Sequence, residues 1–519
     1  MAPLTATVQI DPTRIISPID RRIYSGFIEH LGRCIYGGLI PDESTPKELI
    51  TGTGFRKDVM EVIRDELHVP VMRWPGGNYA SSYRWKDGVG PKNLRPTRPE
   101  LAWGGIESNQ FGTDEFIQWC REANTEPYIC LNMGTGSLED ALDWLEYCNG
   151  TRRTYWADQR RANNGGREEP YRVKYWALGN EMYGSWQVGR LSAAEYTTKA
   201  QQWAHALKIM DPSIVLISCG QCGYNTWDST VLQGLVKQVD LHSIHGYTSF
   251  GDRDRTEEVE FERGVFGPEA AEKAIGITRS LIDLARIENG AQESRPVKIA
   301  FDEWGAWDET VGTPENGLEQ RYTLRDALGV ASWLNVFVRN ADIVKMANYA
   351  QAVNVIAPII TSPAGMFKQP IFHPLRLFAQ LMGGAPGDES WSLQLHVQTP
   401  CYEGITLPPW IGTLRQSDGC KYIDGSAVLT GPHESKQRSV RVALVNRHKT
   451  ESFAVQLNFL GNAPTKMEVH EVYHSNPAAE NSFEDPENVK VETRLEAWNG
   501  GRIVLKEHSF VLISIPYNS

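Results

Sequence analysis

The chain holds 519 residues, 41% hydrophobic and 22% charged, with a formal net charge of -12 from 52 basic against 64 acidic side chains. At roughly 150 residues per domain the length asks for two to four domains and excludes a peptide or a single small binding module. The ordinary globular composition excludes wholesale disorder and a membrane-embedded bundle, and an acidic chain without a long basic run is no nucleic-acid binder, because phosphate affinity comes from clustered Lys and Arg.

The most unusual count is 16 Trp. Large rigid apolar faces in surplus suit flat partners such as sugar rings, and they suit core packing equally well. The opening stretch MAPLTATVQIDPTRIISPIDRR lacks an apolar run of signal-peptide length, so a cytoplasmic location is expected. Eight cysteines in a chain this long make no disulfide framework. Cys219 and Cys222 form a C-x-x-C, but it follows a strand-like run and enters a Gly-rich loop, where a redox pair would open a helix. Asn149 heads the single N-x-S/T sequon.

In chain order, ATVQID alternates like a strand and precedes the first α/β unit. From residue 23 to about 360, short β-rich runs then alternate with helical patterns. The strand candidates are IYSGFIEH from Ile23, VPVMRW from Val69, EPYICLNM from Glu126, VKYWALGNE from Val173, IVLISC from Ile214, VDLHSIHGY from Val239, VKIAFDEW from Val297 and VKMANYAQAV from Val344. Between the fourth and fifth, the run from Ser192 repeats its apolar residues at three and four, with Ser192 and Glu195 as a capping box. Eight strands and seven crossovers count out a (β/α)8 TIM barrel over residues 20–384, several of its loops carrying insertions. Beyond 385 helical periodicity stops, and SVRVALVNRH, FAVQLNFL, KMEVHEVYH, GRIVLKEH and SFVLISIP read as an antiparallel β-sandwich. The opening strand is expected to complete it, so residues 1–19 and 385–519 form one domain.

Barrel chemistry sits at the C-terminal strand ends. The fourth strand closes on Asn180-Glu181 and the seventh on Asp302-Glu303. Burying a glutamate there is costly without a partner or a task, and two facing one cleft suit general acid/base and nucleophile work. Asn180 can donate to a substrate hydroxyl. Other strand ends supply Glu29 and His30, Arg73 and Asn78, His245 and Tyr247, and Gln351. Each alone also fits a satisfied core or structural residue: His30 and His242 can be core histidines, and Arg73 can pair with a carboxylate and keep it ionised. Gly76 and Gly77 read as a turn permitting close backbone approach. His30, His242 and His245 lack metal-ligand spacing of the H-E-x-x-H kind, so no metal and no cofactor is expected.

Six motifs in order, GFIEHLGRCIYGGL from Gly26, RWPGGNY from Arg73, LAWGGIESNQFGTDEF from Leu101, WALGNEMYGSWQVG from Trp176, KIAFDEWGAW from Lys298 and ANYAQAVNVIAPI from Ala347, closely resemble the α-L-arabinofuranosidases of glycoside hydrolase family 51. The resemblance spans about residues 20 to 365. It implies a retaining, exo-acting hydrolase with Glu181 as acid/base and Glu303 as nucleophile. It also implies that Glu29, Arg73, Asn78, Asn180, Tyr247 and Gln351 hold the sugar, that His245 supports the acid/base, and that Trp103 and Trp307 line the cleft. Gly305, Tyr183 and Ser185 depart from the family's commonest residues and bear on preferences beyond the bound arabinose. The implied partner is an arabinose-containing oligosaccharide or polysaccharide, with no nucleic acid and no membrane, and family members often form homo-oligomers. Within the same clan the rival reading is a β-xylosidase or endo-β-glucanase; outside it, a non-catalytic sugar binder. Glu181 is expected to have a pKa raised while Glu303 is ionised, and Trp304 and, less directly, Trp186 to frame the cleft with Trp103 and Trp307, while Trp119, Trp144 and Trp203 belong to the core.

Overall fold

The computed structural model describes residues 3–249, 257–403, 419–433, 435, 437–462 and 464–518. Each of the eight candidate runs forms a strand: Ser25–Phe27, Val71–Trp74, Glu126–Cys130, Tyr175–Leu178, Val215–Ser218, Leu241–Ser249, Lys298–Trp307 and Val344–Ala350. They pair in parallel, in chain order, and the eighth closes on the first to complete the barrel. Inside it, Val71, Tyr128, Cys130, Ile217, Leu241, Ala300 and Met346 form a buried cluster, so the barrel is a packed core and not a channel.

The helices follow from their own sequence. In Ala193–Met210 the Ser192 hydroxyl accepts from the Glu195 amide while the Glu195 carboxylate accepts from the Ser192 amide, satisfying two otherwise orphaned donors. Its buried residues Tyr196, Ala200, Trp203, Ala204 and Leu207 recur at three and four, the stripe that packs on the barrel.

Beyond the barrel a nine-stranded sheet curls over a core that includes Val8, Ile10, Leu393, Val442, Leu444, Val455 and Ile513. The opening strand, Leu4–Pro18, enters this sheet as expected. It runs antiparallel to Asp388–Gln398 but parallel to Phe453–Phe459, so one pairing departs from the expected antiparallel pattern. The reason is geometric: its two neighbours run in opposite directions, and a strand inserted between them must be parallel to one.

The helix Leu324–Arg339, which follows the seventh barrel strand, ties the two bodies together. Asn335 Nδ2 and Arg339 Nη1 donate to Asp424 at 2.8 and 2.7 Å, and Ser392 donates to the Val338 carbonyl at 2.6 Å. The strand that carries Glu303 is therefore backed by a helix fixed on its far side by the sandwich. Ile10→Ala should cost about 2–5 kcal/mol through the cavity it leaves, read as a fall in the thermal midpoint at unchanged kcat.

Candidate active site

Strand alternation aims most of the site. Along the sixth strand Ser243, His245 and Tyr247 point inward in steps of two. His242 points outward, where its ring bonds Asp228 at 3.0 Å and Ser218 at 2.9 Å. The seventh strand breaks the rule. Ala300 pairs with Ser243 and Glu303 with His245, and on the other side Phe301 pairs with Ala347 and Trp304 with Tyr349, three residues against two each time. This β-bulge brings both Asp302 and Glu303 to the centre, where a regular strand would have turned one of them away.

Around that centre the candidates converge. Arg73, 1% exposed, donates to Glu303 Oε1 at 2.6 Å and to Asn180 Oδ1 at 2.6 Å, and its Nε lies 3.6 Å from Asp302 Oδ2. Tyr247 donates to Glu303 Oε2 at 2.9 Å. Glu181 Oε1 meets His245 Nδ1 and the Tyr183 hydroxyl, both at 3.0 Å, while Glu181 Oε2 accepts from Trp186 Nε1 at 2.9 Å. His245 Nε2 lies 3.2 Å from Asp302, which also accepts from Ser243 and, at 2.7 Å, from Tyr128. On the opposite wall Glu29 accepts from the Tyr79 amide at 2.9 Å, Trp103 Nε1 at 3.2 Å and Gln351 Nε2 at 3.0 Å. Asn78 sits beside Asn180, whose Nδ2 reaches its Oδ1 at 3.4 Å. A Cβ on Gly76 would stand 2.8 Å from Glu29, and one on Gly77 would stand 3.0 Å from Glu303 Oε1, so the turn read from the sequence is what lets these carboxylates approach the backbone.

The charges are strongly coupled. Burial alone would lower His245, but the charge of Glu303 and the hydrogen bonds to Asp302 and Glu181 outweigh it and lift it to about 10. Burial pushes Glu29 up, and the nearby Glu303 adds to it, to about 7. Asp302, despite burial, is held well below the usual carboxylate range by Arg73 and His245. Glu181 corrects an expectation: burial raises it, yet its bonds to His245, Trp186 and Tyr183 prevail and leave it lowered. An acid/base glutamate beside an ionised neighbour alone would be raised; here a protonated imidazole stands between them.

Glu181, His245 and Glu303 each offer a donor atom within 4.8 Å of the others, a spacing that suits a cation. Both ring nitrogens of His245 are already engaged by carboxylates, Nδ1 by Glu181 and Nε2 by Asp302. The arrangement instead presents two carboxylates across a short gap, one pinned by an arginine and a tyrosine, the other wrapped in three donors.

Residues 63–259 match the family model of the α-L-arabinofuranosidase 1 domain, and residues 302–509 match that of the α-L-arabinofuranosidase C-terminal domain. The chain is 46% identical over 519 residues to α-L-arabinofuranosidase C of Emericella nidulans, covering 98% of this chain and 96% of that one. It superposes on a family 51 α-L-arabinofuranosidase from Thermotoga petrophila with a TM-score of 0.86 at 35% identity, covering 98% of this chain and 100% of the other. The chain belongs to the α-L-arabinofuranosidases of glycoside hydrolase family 51. An arabinose complex of the Thermotoga maritima α-L-arabinofuranosidase gives a TM-score of 0.87 at 34% identity, covering 99% of this chain and all of that one. This arabinofuranosidase therefore carries the activity on the barrel and sandwich described above.

Its tryptophans divide differently from the sequence expectation. Trp103 donates to Glu29, Trp307 stands edge-on to Tyr247 at 5.8 Å, and Trp186 reaches Glu181. Trp304 does not frame the cleft: the bulge turns it outward, where it is 1% exposed and packs on Trp333, Phe337 and Tyr349. Trp119, Trp144 and Trp203 are buried in the core. His30 is a core residue as well, its Nδ1 2.6 Å from Glu107 and its Nε2 accepting from Trp74. Asp302, Tyr128 and Ser243 escaped the sequence reading as parts of the site, and Tyr183 entered it only as a departure bearing on preferences beyond the bound arabinose, not as a donor to Glu181. Asp302 stood beside Glu303 in plain view, and a buried acid with no assigned partner was the available signal. Replacing Asp302 with Asn should let the His245 imidazole lose its proton about one to three pH units lower, followed by its ring-proton NMR titration.

Proposed function

We propose that the enzyme is a retaining, exo-acting α-L-arabinofuranosidase that releases terminal L-arabinofuranose from arabinan, arabinoxylan or their oligosaccharides. The closeness of the two carboxyl groups carries this reading, because one oxygen of Glu181 lies within 4.8 Å of one oxygen of Glu303. Retaining enzymes hold the pair at about 5 to 5.5 Å, whereas a gap of about 6.5 Å or more leaves room for water between acid and anomeric carbon. With no such room a carboxylate attacks directly.

Glu303, held by Arg73 and Tyr247, is the nucleophile: its oxygen forms an ester bond to the anomeric carbon as the glycosidic C–O bond breaks. Glu181 gives its proton to the departing oxygen, then takes one from the water that hydrolyses the ester. In the free enzyme the donors around Glu181 favour its carboxylate, the form needed for the second step. A bound sugar that excludes water deepens its burial and favours the protonated form needed for the first. Glu29, Asn78, Asn180 and Gln351 offer hydrogen bonds to sugar hydroxyls. The Gln351 Oε1 atom is buried with no partner among the described residues, an acceptor left for such a hydroxyl. Trp103 and Trp307 provide apolar faces at the rim.

Short oligosaccharides inside the cell are the natural substrates in this reading. A relative from Halalkalibacterium halodurans, 36% identical over 87% of both chains, is named an intracellular exo-α-(1→5)-L-arabinofuranosidase.

Glu181→Ala should lose about 10²- to 10⁴-fold on substrates whose leaving group needs a proton. It should keep turnover of 4-nitrophenyl α-L-arabinofuranoside and be rescued by azide, with the substrate's anomeric configuration retained. Glu303→Ala should be inactive on every substrate. Equal losses on both substrate types in Glu181→Ala would reverse the assignment, and NMR of the first product should show the retained anomer. A panel of nitrophenyl glycosides should show preference for the α-L-arabinofuranoside; preference for β-xyloside, or turnover of soluble β-glucan alone, would displace this reading in favour of the clan relatives.

A further inference from the structure

The loop after the fourth barrel strand folds back on its own glutamate. Glu181 has a positive φ of 43°, and its carbonyl accepts from the Gly184 amide at 2.7 Å, closing a tight turn. The turn places Tyr183 with its hydroxyl on Glu181 Oε1, its ring braced edge-on by Trp227 at 5.5 Å and by Trp186 at 6.2 Å. Trp186 then returns across the turn. A Cβ on Gly184 would stand 2.6 Å from its Cε2 and 2.8 Å from its Nε1, so the indole lies directly on the glycine and only a residue without a side chain lets it reach Glu181 Oε2.

The two oxygens of Glu181 are not equivalent. Oε1 is held by His245 and Tyr183, both anchored by further contacts. Oε2 has Trp186, whose side chain projects from a residue 60% exposed at the rim. The oxygen that passes a proton to a leaving group has to face the cleft, and Oε2 is the one whose donor stands there.

We propose that Tyr183 and Trp186 are positioning residues that hold Glu181 in its carboxylate form, Tyr183 as a fixed donor and Trp186 as a donor that the leaving group must replace at Oε2 before it can be protonated. The proposal rests on the acid/base role of Glu181 argued above and goes beyond it. It makes acid strength depend on occupation of the site next to the bond that breaks. Gly184 belongs to the same device, since it gives the indole its path.

Among the described residues, the other charged and titratable groups facing Glu181 are His245 and Tyr247 from the sixth strand, Glu303 from the seventh and Cys219 just after the fifth, with Asp302 behind the His245 ring. None of these is changed by a substitution in the loop. Removing a donor from a carboxylate disfavours the charged form, so the acid form persists to higher pH.

The test is the pH dependence of kcat/KM on an arabinofuranosyl disaccharide, whose leaving group needs a proton, and on 4-nitrophenyl α-L-arabinofuranoside, whose leaving group does not. Trp186→Phe keeps the ring and removes the N–H, Gly184→Ala displaces the indole, and Tyr183→Phe removes the hydroxyl. On the disaccharide each should move the basic limb upward, by about one pH unit for Trp186→Phe given the size of a charge-assisted hydrogen bond. On the aryl substrate that limb should be absent in all four enzymes. Unmoved limbs in Trp186→Phe and Gly184→Ala, with rates lowered evenly across the pH range, would overturn the proposal. Glu181→Ala separates the two layers of argument. If it keeps the basic limb, the acid assignment and the proposal fail together; if it loses the limb while the loop variants leave it in place, the proposal alone fails.

Discussion

Everything at the barrel mouth depends on one buried cation. Arg73 leaves the second strand, lies over the Phe27 ring at 4.7 Å, and meets Glu303, Asp302 and Asn180 with its nitrogens. Taking a guanidinium out of water costs several kcal/mol, and the cost is offset only when opposite charge and hydrogen bonds surround it. Those partners come from the fourth and seventh strands, so the second, fourth and seventh strand ends are held in one register by a single side chain. Glu303 stands where it does on this cation, while Glu181, next to the Asn180 that Arg73 holds, takes its own donors from His245, Tyr183 and Trp186.

Around Arg73 the site gathers four carboxylates, Glu29, Glu181, Asp302 and Glu303, against two cations, Arg73 and His245. The imbalance appears in the acid that lacks a cation in contact. Glu29, held only by neutral donors, is pushed to about 7, whereas Asp302, touching both cations, falls well below its ordinary range. A fold selected for stability alone would not collect these groups in so small a volume. Such conflicts between local preference and global structure are expected at sites of chemistry. The rigid frame that tolerates this one is visible on the far side of the seventh strand, where Asp424 of the sandwich fastens the backing helix.

Much of the fold was legible in the chain. Every barrel strand announced itself as a short β-rich run between helical patterns, and the Ser192 to Glu195 capping box marked its helix start correctly. The two strand-end glutamates, Arg73, and Gly76 with Gly77 stood out because buried charge and close backbone approach each demand a particular residue type. Trp304 and Asp302 were not legible in the same way. Their facing depends on whether the seventh strand keeps its two-residue alternation, and the bulge that breaks it is a property of pairing with the sixth and eighth strands. Tyr128 was hidden for a related reason: a tyrosine in the third strand reads as core until the acid of a strand across the barrel is seen to accept its hydroxyl.

By itself the sequence determined which elements form and which residue types reach the mouth of the barrel, because periodicity, caps and the cost of buried charge act over a few residues. Only the tertiary structure decided how those groups are shared. The direction of the opening strand relative to each neighbour, the inward turn of Asp302, the protonated ring between Glu181 and Glu303, and the return of Trp186 over Gly184 all depend on distances between segments far apart in the chain or folded back on themselves. Coulomb energy and hydrogen-bond geometry are set by those distances, and no local pattern encodes them.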